Sequence, residues 1–149
     1  MDSGISIKII DRETIKYLVD NLENIDKDKA IRSGLRLGAN LLKNGGKKRL
    51  KQRMNNPKGV KGELLNTFTI RVWKRRLGAM AGFRGDASGE AHLVDLGTAD
   101  RFQIKTGRHT GAARATKFWT DTRTEDMSTA NGMVMRGIER YVERVNNRL

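Results

Sequence analysis

The strongest constraint on the fold is a helical spacing of apolar residues at both ends of the chain. Near the N-terminus, apolar residues recur every three or four positions over 15–25 and again over 30–42. A third such stripe runs from Met127 to Val145. Residues at this spacing share one face only in an α-helix. The sequence therefore predicts two N-terminal helices and one C-terminal helix.

Glycines and acidic residues refine the predicted helices. Gly34 and Gly38 weaken helix propensity but let another backbone come close. The Gly45-Gly46 pair is expected to break or kink the second helix. Asp11 and Asp26 are expected to cap the first and second helices.

The middle of the chain changes to strand-like alternation. A short strand is predicted at 5–10, and three more at 65–75, 77–84 and 91–98, joined by turns rich in Gly and Asp. In the first of these three, Phe68, Ile70 and Val72 share a side. We predict an α+β fold: a small antiparallel β-sheet packed by two N-terminal helices and one C-terminal helix, with a long loop after the third meander strand.

Length and composition place these elements in one domain, 1–149, with an extended loop at about 99–117. The chain has no cysteine, which excludes disulfides and thiolate metal sites. The N-terminus lacks a secretory pattern, and no apolar run approaches the roughly 20 residues of a membrane helix. We expect a soluble protein made in a cytoplasm, with no membrane contact.

Positive charge is the clearest indication of a partner. Thirty Lys and Arg against seventeen Asp and Glu give a formal net charge of +13. Eight basic residues and no acidic one lie in 43–61, and a second basic group lies in the long loop. The excess favours either DNA phosphates, contacted without base reading, or an acidic protein surface. The candidate contact residues are Lys47, Lys48, Arg49, Lys51, Arg53, Arg101, Lys105 and Arg108.

The stretch HLVDLGT, residues 92–98, holds the one histidine with a carboxylate close by. On a strand, His92 and Asp95 point to opposite faces, which argues against a catalytic pair. The central carboxylates also lack the clustering that nuclease metals need. We expect no enzyme activity, no metal and no cofactor.

Three aromatic residues are candidates for a subunit interface: Phe102 in the long loop, and Phe118 and Trp119 ahead of the last helix. The Phe118-Trp119 pair could act as a local hydrophobic staple or as an anchor into a neighbouring subunit. We expect one ring to pack locally and the other to contact a neighbour.

This order of motifs resembles the tail-completion, or neck, family of long-tailed bacteriophages. KKRLKQRMNNP is similar to the basic segment before the family's proline, and KGELLNTFTI to its Thr-Gly-x-Leu strand start, with Lys61-Gly62 replacing Thr-Gly. In HLVDLGT, Asp95 takes the acidic position of the family's Val-Glu-Phe-Gly-Thr motif, and Gly97 and Thr98 match the motif directly. Phe118-Trp119 resembles its Pro-Phe-Phe segment, with Lys117 in place of the proline.

The resemblance implies a structural virion protein. Its copies would form a ring, expected to be six-fold, that completes the tail, joins the tail tube or tail terminator to the head connector and lets DNA pass. Assembly would take place in the host bacterial cytoplasm. The alternative function is non-sequence-specific nucleic-acid binding, which the net charge favours.

Overall fold

The computed structural model describes most of the chain. The described residues are 4–8, 12–54, 60–73, 78–85, 87–98, 101–102, 107, 109–111 and 114–148. Within them the helices are α1 (Arg12–Val19), α2 (Asn24–Arg53), α3 (Val60–Thr67), α4 (Ala87–Leu96) and α5 (Phe118–Asn146). The strands are β1 (Ile5–Lys8), β2 (Phe68–Val72), β3 (Gly78–Phe83), β4 (Arg101–Phe102) and β5 (His109–Gly111). The predicted α+β class is confirmed.

The main sheet is antiparallel and has three strands in the order β1-β3-β2. Ala81 of β3 faces Ile5 on one side and Ile70 on the other. The central strand is rich in small residues, and Ala79 and Ala81 are fully buried. Small side chains on β3 let α2 lie close to the sheet, and α2 in turn packs along α5.

Two stretches predicted as strand are helical. Residues 65–67 belong to α3, whose Leu64 is fully buried, so the strand starts only at Phe68. The segment likened to a strand start, around Lys61-Gly62, is therefore a helix. Residues 91–96 lie in α4, and the third strand of the sheet is β1 instead.

The burial of α4 explains the second difference. Ala91 and Asp95, four residues apart, are buried, whereas Leu93 and Leu96 are exposed. This is a helical period, and the alternation in HLVDL is too short to distinguish it from a strand period.

The helix starts also differ in part from expectation. Helix α2 begins at Asn24, so Asp26 lies inside the first turn, where its negative charge still suits the helix dipole. Asp11 lies outside the described residues. Ile25, placed on the apolar stripe, is mostly exposed and is not part of the core.

Helices α2 and α5 run antiparallel in direct backbone contact, along what we call the glycine seam: Gly34, Gly38, Gly45, Gly46 and Gly137. A Cβ on Gly34 would lie 2.3 Å from the carbonyl oxygen of Val134, and one on Gly137 would lie 2.7 Å from the Cα of Gly34. The predicted close approach at Gly34 and Gly38 is confirmed.

The expected break at Gly45-Gly46 is wrong, because α2 continues to Arg53. A Cβ on Gly46 would lie 2.4 Å from the ring of Trp119, and one on Gly45 would lie 2.1 Å from a carboxylate oxygen of Asp126. Packing against α5 thus offsets the low helix propensity of the pair, which costs roughly 1 kcal/mol per glycine.

None of the helices in the described part of the chain has both the length and the apolar character needed to cross a bilayer.

The glycine seam predicts opposite effects for two identical substitutions in α5. Gly132→Ala places its methyl group in open space, so the gain in helix propensity should stabilise the protein by up to about 1 kcal/mol. Gly137→Ala makes the same gain but drives a methyl group into the Gly34 backbone, and a net loss of about 1–3 kcal/mol is expected. Chemical denaturation of both variants measures the difference. A Gly137→Ala protein as stable as Gly132→Ala would contradict backbone contact between α2 and α5.

Candidate functional site

The end of α4 and the start of α5 form a reciprocal junction, which we call the Asp95 clamp: Val94, Asp95, Thr116, Lys117, Trp119 and Thr120. On the α4 side, the carbonyl of Val94 accepts hydrogen bonds from the Thr116 N–H at 3.1 Å and from its hydroxyl at 2.8 Å. The carbonyl of Asp95 accepts one from the Lys117 N–H at 2.9 Å. The last carbonyls of a helix need such outside donors, and here the chain entering α5 supplies them.

On the α5 side, the Asp95 carboxylate caps the helix. Its Oδ1 accepts hydrogen bonds from the backbone N–H of Trp119 at 3.0 Å and of Thr120 at 2.9 Å, and its Oδ2 accepts the Thr120 hydroxyl at 2.6 Å. The residue at the N-cap position, Lys117, makes no capping bond with its side chain and has a left-handed φ of 56°. Asp95 therefore does from another helix what a local Asp or Ser does at most helix starts.

The strand end predicted in HLVDLGT is wrong, because Asp95 and Gly97 lie at the end of a helix. Asp95 ends a helix rather than a strand and is only 7% exposed. Gly97 has a positive φ of 77°, and its N–H donates a hydrogen bond to the Leu93 carbonyl at 2.8 Å, which is a helix-ending turn. His92 is half-buried on α4, and the Asp95 oxygens are bonded to α5 instead.

The clamp closes the base of the long loop. We call residues 98–115, between Gly97 and Thr116, the arm. Its two ends meet at the clamp. Within the arm, β4 and β5 pair antiparallel, with Phe102 opposite His109, in a sheet separate from the main one. The predicted loop thus contains a small hairpin. Only the backbone of Arg101 and Phe102 is described, and Lys105 and Arg108 lie outside the described residues.

The aromatic pair expected at a subunit interface lies inside the protein. Phe118 is fully buried and Trp119 is 3% exposed. The Trp119 ring centroid lies 5.6 Å from that of Phe68 and 5.3 Å from that of Phe83, in edge-on geometry. Both rings pack locally, so the interface prediction is wrong for this pair. The reason is that Asp95 and Gly46 fix the first turn of α5 over the sheet.

Two of the candidate residues for contact with DNA or an acidic partner, Arg49 and Arg53, form ion pairs within the chain. Arg49 is 15% exposed and donates hydrogen bonds to Asp126 at 2.7 and 3.0 Å and to Glu125 at 2.8 Å. It also donates to Thr122, whose hydroxyl donates in turn to the Phe118 carbonyl. The bond to Asp126 raises the pKa of the Arg49 guanidinium above its usual value, against an opposing effect of burial.

Arg53 continues the same pattern one turn further along α2. It donates to Asp121 at 2.5 Å and to the carbonyl of Thr116, which belongs to the clamp. The basic run at 43–61 therefore holds α5 and the clamp against α2 through Arg49 and Arg53. Of the remaining predicted contacts, Lys48 and Lys51 are exposed, and Lys47 is half-buried with its ammonium 6.0 Å from the centre of the Phe68 ring.

Sequence reasoning missed the threonines of the junction. Thr116, Thr120 and Thr122 each make a hydrogen bond to α4 or within the first turn of α5. Their clustering before an apolar stripe is the usual mark of a helix start. Among the described residues, no group of three or more His, Cys, Asp or Glu could hold a metal ion.

The clamp predicts a graded loss of stability at Asp95. Asp95→Ala leaves the buried N–H of Trp119 without an acceptor, and a loss of about 3 kcal/mol is expected. Asp95→Asn keeps one acceptor oxygen but loses the charge at the helix start, and about 1 kcal/mol is expected. Glu90→Ala, an exposed change on the same helix, should alter stability by less than about 0.5 kcal/mol. Urea denaturation tests the order; equal effects of Asp95→Ala and Glu90→Ala would refute the cap.

The two ion pairs of the basic run should differ in strength. Arg49 and Asp126 are largely buried, with side chains 15% and 21% exposed, whereas those of Arg53 and Asp121 are 33% and 35% exposed. A double-mutant cycle with Arg49→Met and Asp126→Asn should give a coupling of about 1–2 kcal/mol. The matched cycle at Arg53 and Asp121 should give less than about 1 kcal/mol. A larger coupling at the second pair would overturn this ranking.

Comparison of the chain with protein-family models, with curated proteins and with solved structures finds no match.

Proposed function

We propose that the chain is a structural protein of the bacteriophage neck, a virion component and not an enzyme. Its copies form a ring, expected to be six-fold, that completes the tail, joins the tail tube or tail terminator to the head connector and allows DNA to pass. The resemblance at Asp95, Gly97 and Thr98 supports this function. The observation that carries it is the arm, held at its base by the Asp95 clamp on a rigid pair of helices.

A ring subunit needs two different surfaces that meet head to tail. In our proposal the arm, whose two ends are joined at the clamp, supplies one of these surfaces and contacts the next copy. Among the described strands, β4 and β5 pair only with each other, and we propose that this hairpin contacts the neighbour. The entropy cost of ordering such a segment is offset when it buries surface on a partner.

An apolar surface next to the arm is the second support. Leu93 and Leu96 on α4 are 47% and 44% exposed, immediately before Gly97 and the arm. Exposed apolar side chains that lie together favour protein contacts. In our proposal they take the interface role that the sequence suggested for Phe118 and Trp119.

Non-sequence-specific nucleic-acid binding is the second candidate function. The net charge of +13 favours it, as do the exposed Lys48 and Lys51. Both functions are compatible in one protein, because a neck ring encloses passing DNA.

The arm predicts which changes prevent assembly. Replacing residues 101–111 with a short Gly-Ser linker should abolish ring formation, because the neighbour loses its contact. The unfolding temperature should stay within about 2 °C of the unmodified protein, since the body keeps its core and its clamp. Sedimentation velocity and negative-stain electron microscopy measure assembly, and circular dichroism measures folding.

Paired point variants sharpen this test. The double variant Leu93→Glu, Leu96→Glu should prevent assembly. Tyr17→Glu, a similar change at a residue that is 83% exposed on α1, should not.

In infected cells, a phage lacking the gene should release separate heads and tails, and the arm variant should fail to restore joining. Infectious joined particles made without the protein would refute the neck function, as would a chain that stays monomeric at every concentration and is absent from virions.

A further inference from the structure

A cationic groove lies between α2 and α5, at the end of the glycine seam away from the Asp95 clamp. It has a volume of about 520 Å³. Its polar lining, which we call the arginine groove, consists of Ser33, Arg36, Asn40, Arg140, Glu143 and Arg144. All three arginines are exposed. Three positive groups face one negative group, which leaves the groove with a formal charge of +2.

At the opposite end of the glycine seam, arginines stabilise the fold. There Arg49 and Arg53 are each paired with acidic residues of α5. In the described part of the chain, Arg36, Arg140 and Arg144 make no ion pair within 4.0 Å. The guanidinium of Arg144 lies 5.3 Å from the ring centre of Tyr141, which orients it without neutralising it. The groove therefore presents cationic groups that are not neutralised by carboxylates in the described part of the chain.

The donor set indicates the ligand. Guanidinium groups bind phosphate oxygens in pairs, and serine hydroxyls and asparagine amides are common additional phosphate donors. A DNA strand presents a charge at every nucleotide, so it can meet several guanidinium groups at once, whereas a single protein carboxylate meets one or two. We propose that the arginine groove binds the phosphate backbone of double-stranded DNA without reading its sequence.

The proposed DNA contact therefore lies on a surface different from the basic run at 43–61. Every lining residue belongs to one copy of the chain, so the groove is complete without ring formation. The inference does not depend on the neck function, and the two can fail separately.

The test measures duplex DNA binding by fluorescence anisotropy over a range of NaCl concentrations. Each phosphate contact contributes about −0.9 to the slope of log affinity against log salt. Changing Arg36, Arg140 and Arg144 to Gln should lower the magnitude of this slope by about 2–3 and weaken binding at least tenfold at low salt. Changing the same residues to Lys should keep most of the slope while weakening binding, because lysine keeps the charge but not the paired donors.

A matched variant separates local binding from total charge. This variant combines Lys48→Gln, Lys51→Gln and Arg123→Gln, three exposed positions outside the groove, and it also lowers the net charge from +13 to +10. This variant should change the slope by less than about 1. Equal losses in both glutamine variants would overturn the proposal in favour of diffuse charge.

Sedimentation of the same samples tests whether the groove binds an acidic protein surface instead of DNA. If the groove variant keeps its DNA affinity but loses self-association, the groove binds an acidic protein surface and the proposal is wrong. Circular dichroism should show unchanged unfolding temperatures for both variants, because all the altered side chains are exposed.

Discussion

The contact between the backbones of α2 and α5 is the constraint on which the rest of the structure depends. It exists because Gly34 and Gly137 meet without side chains between them. At this separation Arg49 can reach acidic residues of α5, and Trp119 can lie against Gly46. Helix α2 also packs on the sheet, so the position of α5 relative to the strands follows from the same contact.

The Asp95 clamp extends this rigid pair to α4 and the arm. The carboxylate satisfies the N–H groups of Trp119 and Thr120, and the carbonyls at the end of α4 are satisfied in return. Each helix end thus supplies the groups that the other lacks, and the end-to-end arrangement also aligns opposite ends of two helix dipoles. The two ends of the arm, residues 98–115, therefore meet at the clamp.

Positive charge has two separate roles along the same pair of helices. Near the clamp, Arg49 and Arg53 are structural, and each lies among carboxylates of α5. At the far end, Arg140 and Arg144 line a groove and are not neutralised by the fold. Net charge by itself predicted a polyanionic or acidic partner but did not distinguish these roles, because the distinction depends on which residue of α5 lies opposite each arginine.

The sequence by itself determined the features that depend on local periodicity and local backbone freedom. The long helices, the strands at β1 to β3 and the close approach at Gly34 were all predicted, because spacing and residue type suffice for them. The tertiary structure alone decided what depends on a distant partner. Residues 91–96 form a helix that places Asp95 against the backbone of Trp119 and Thr120, more than twenty residues away, a contact that local periodicity does not show. Gly45-Gly46 stayed helical and Phe118 is buried because of long-range packing between α2 and α5. That packing outweighs local propensities of about 1 kcal/mol.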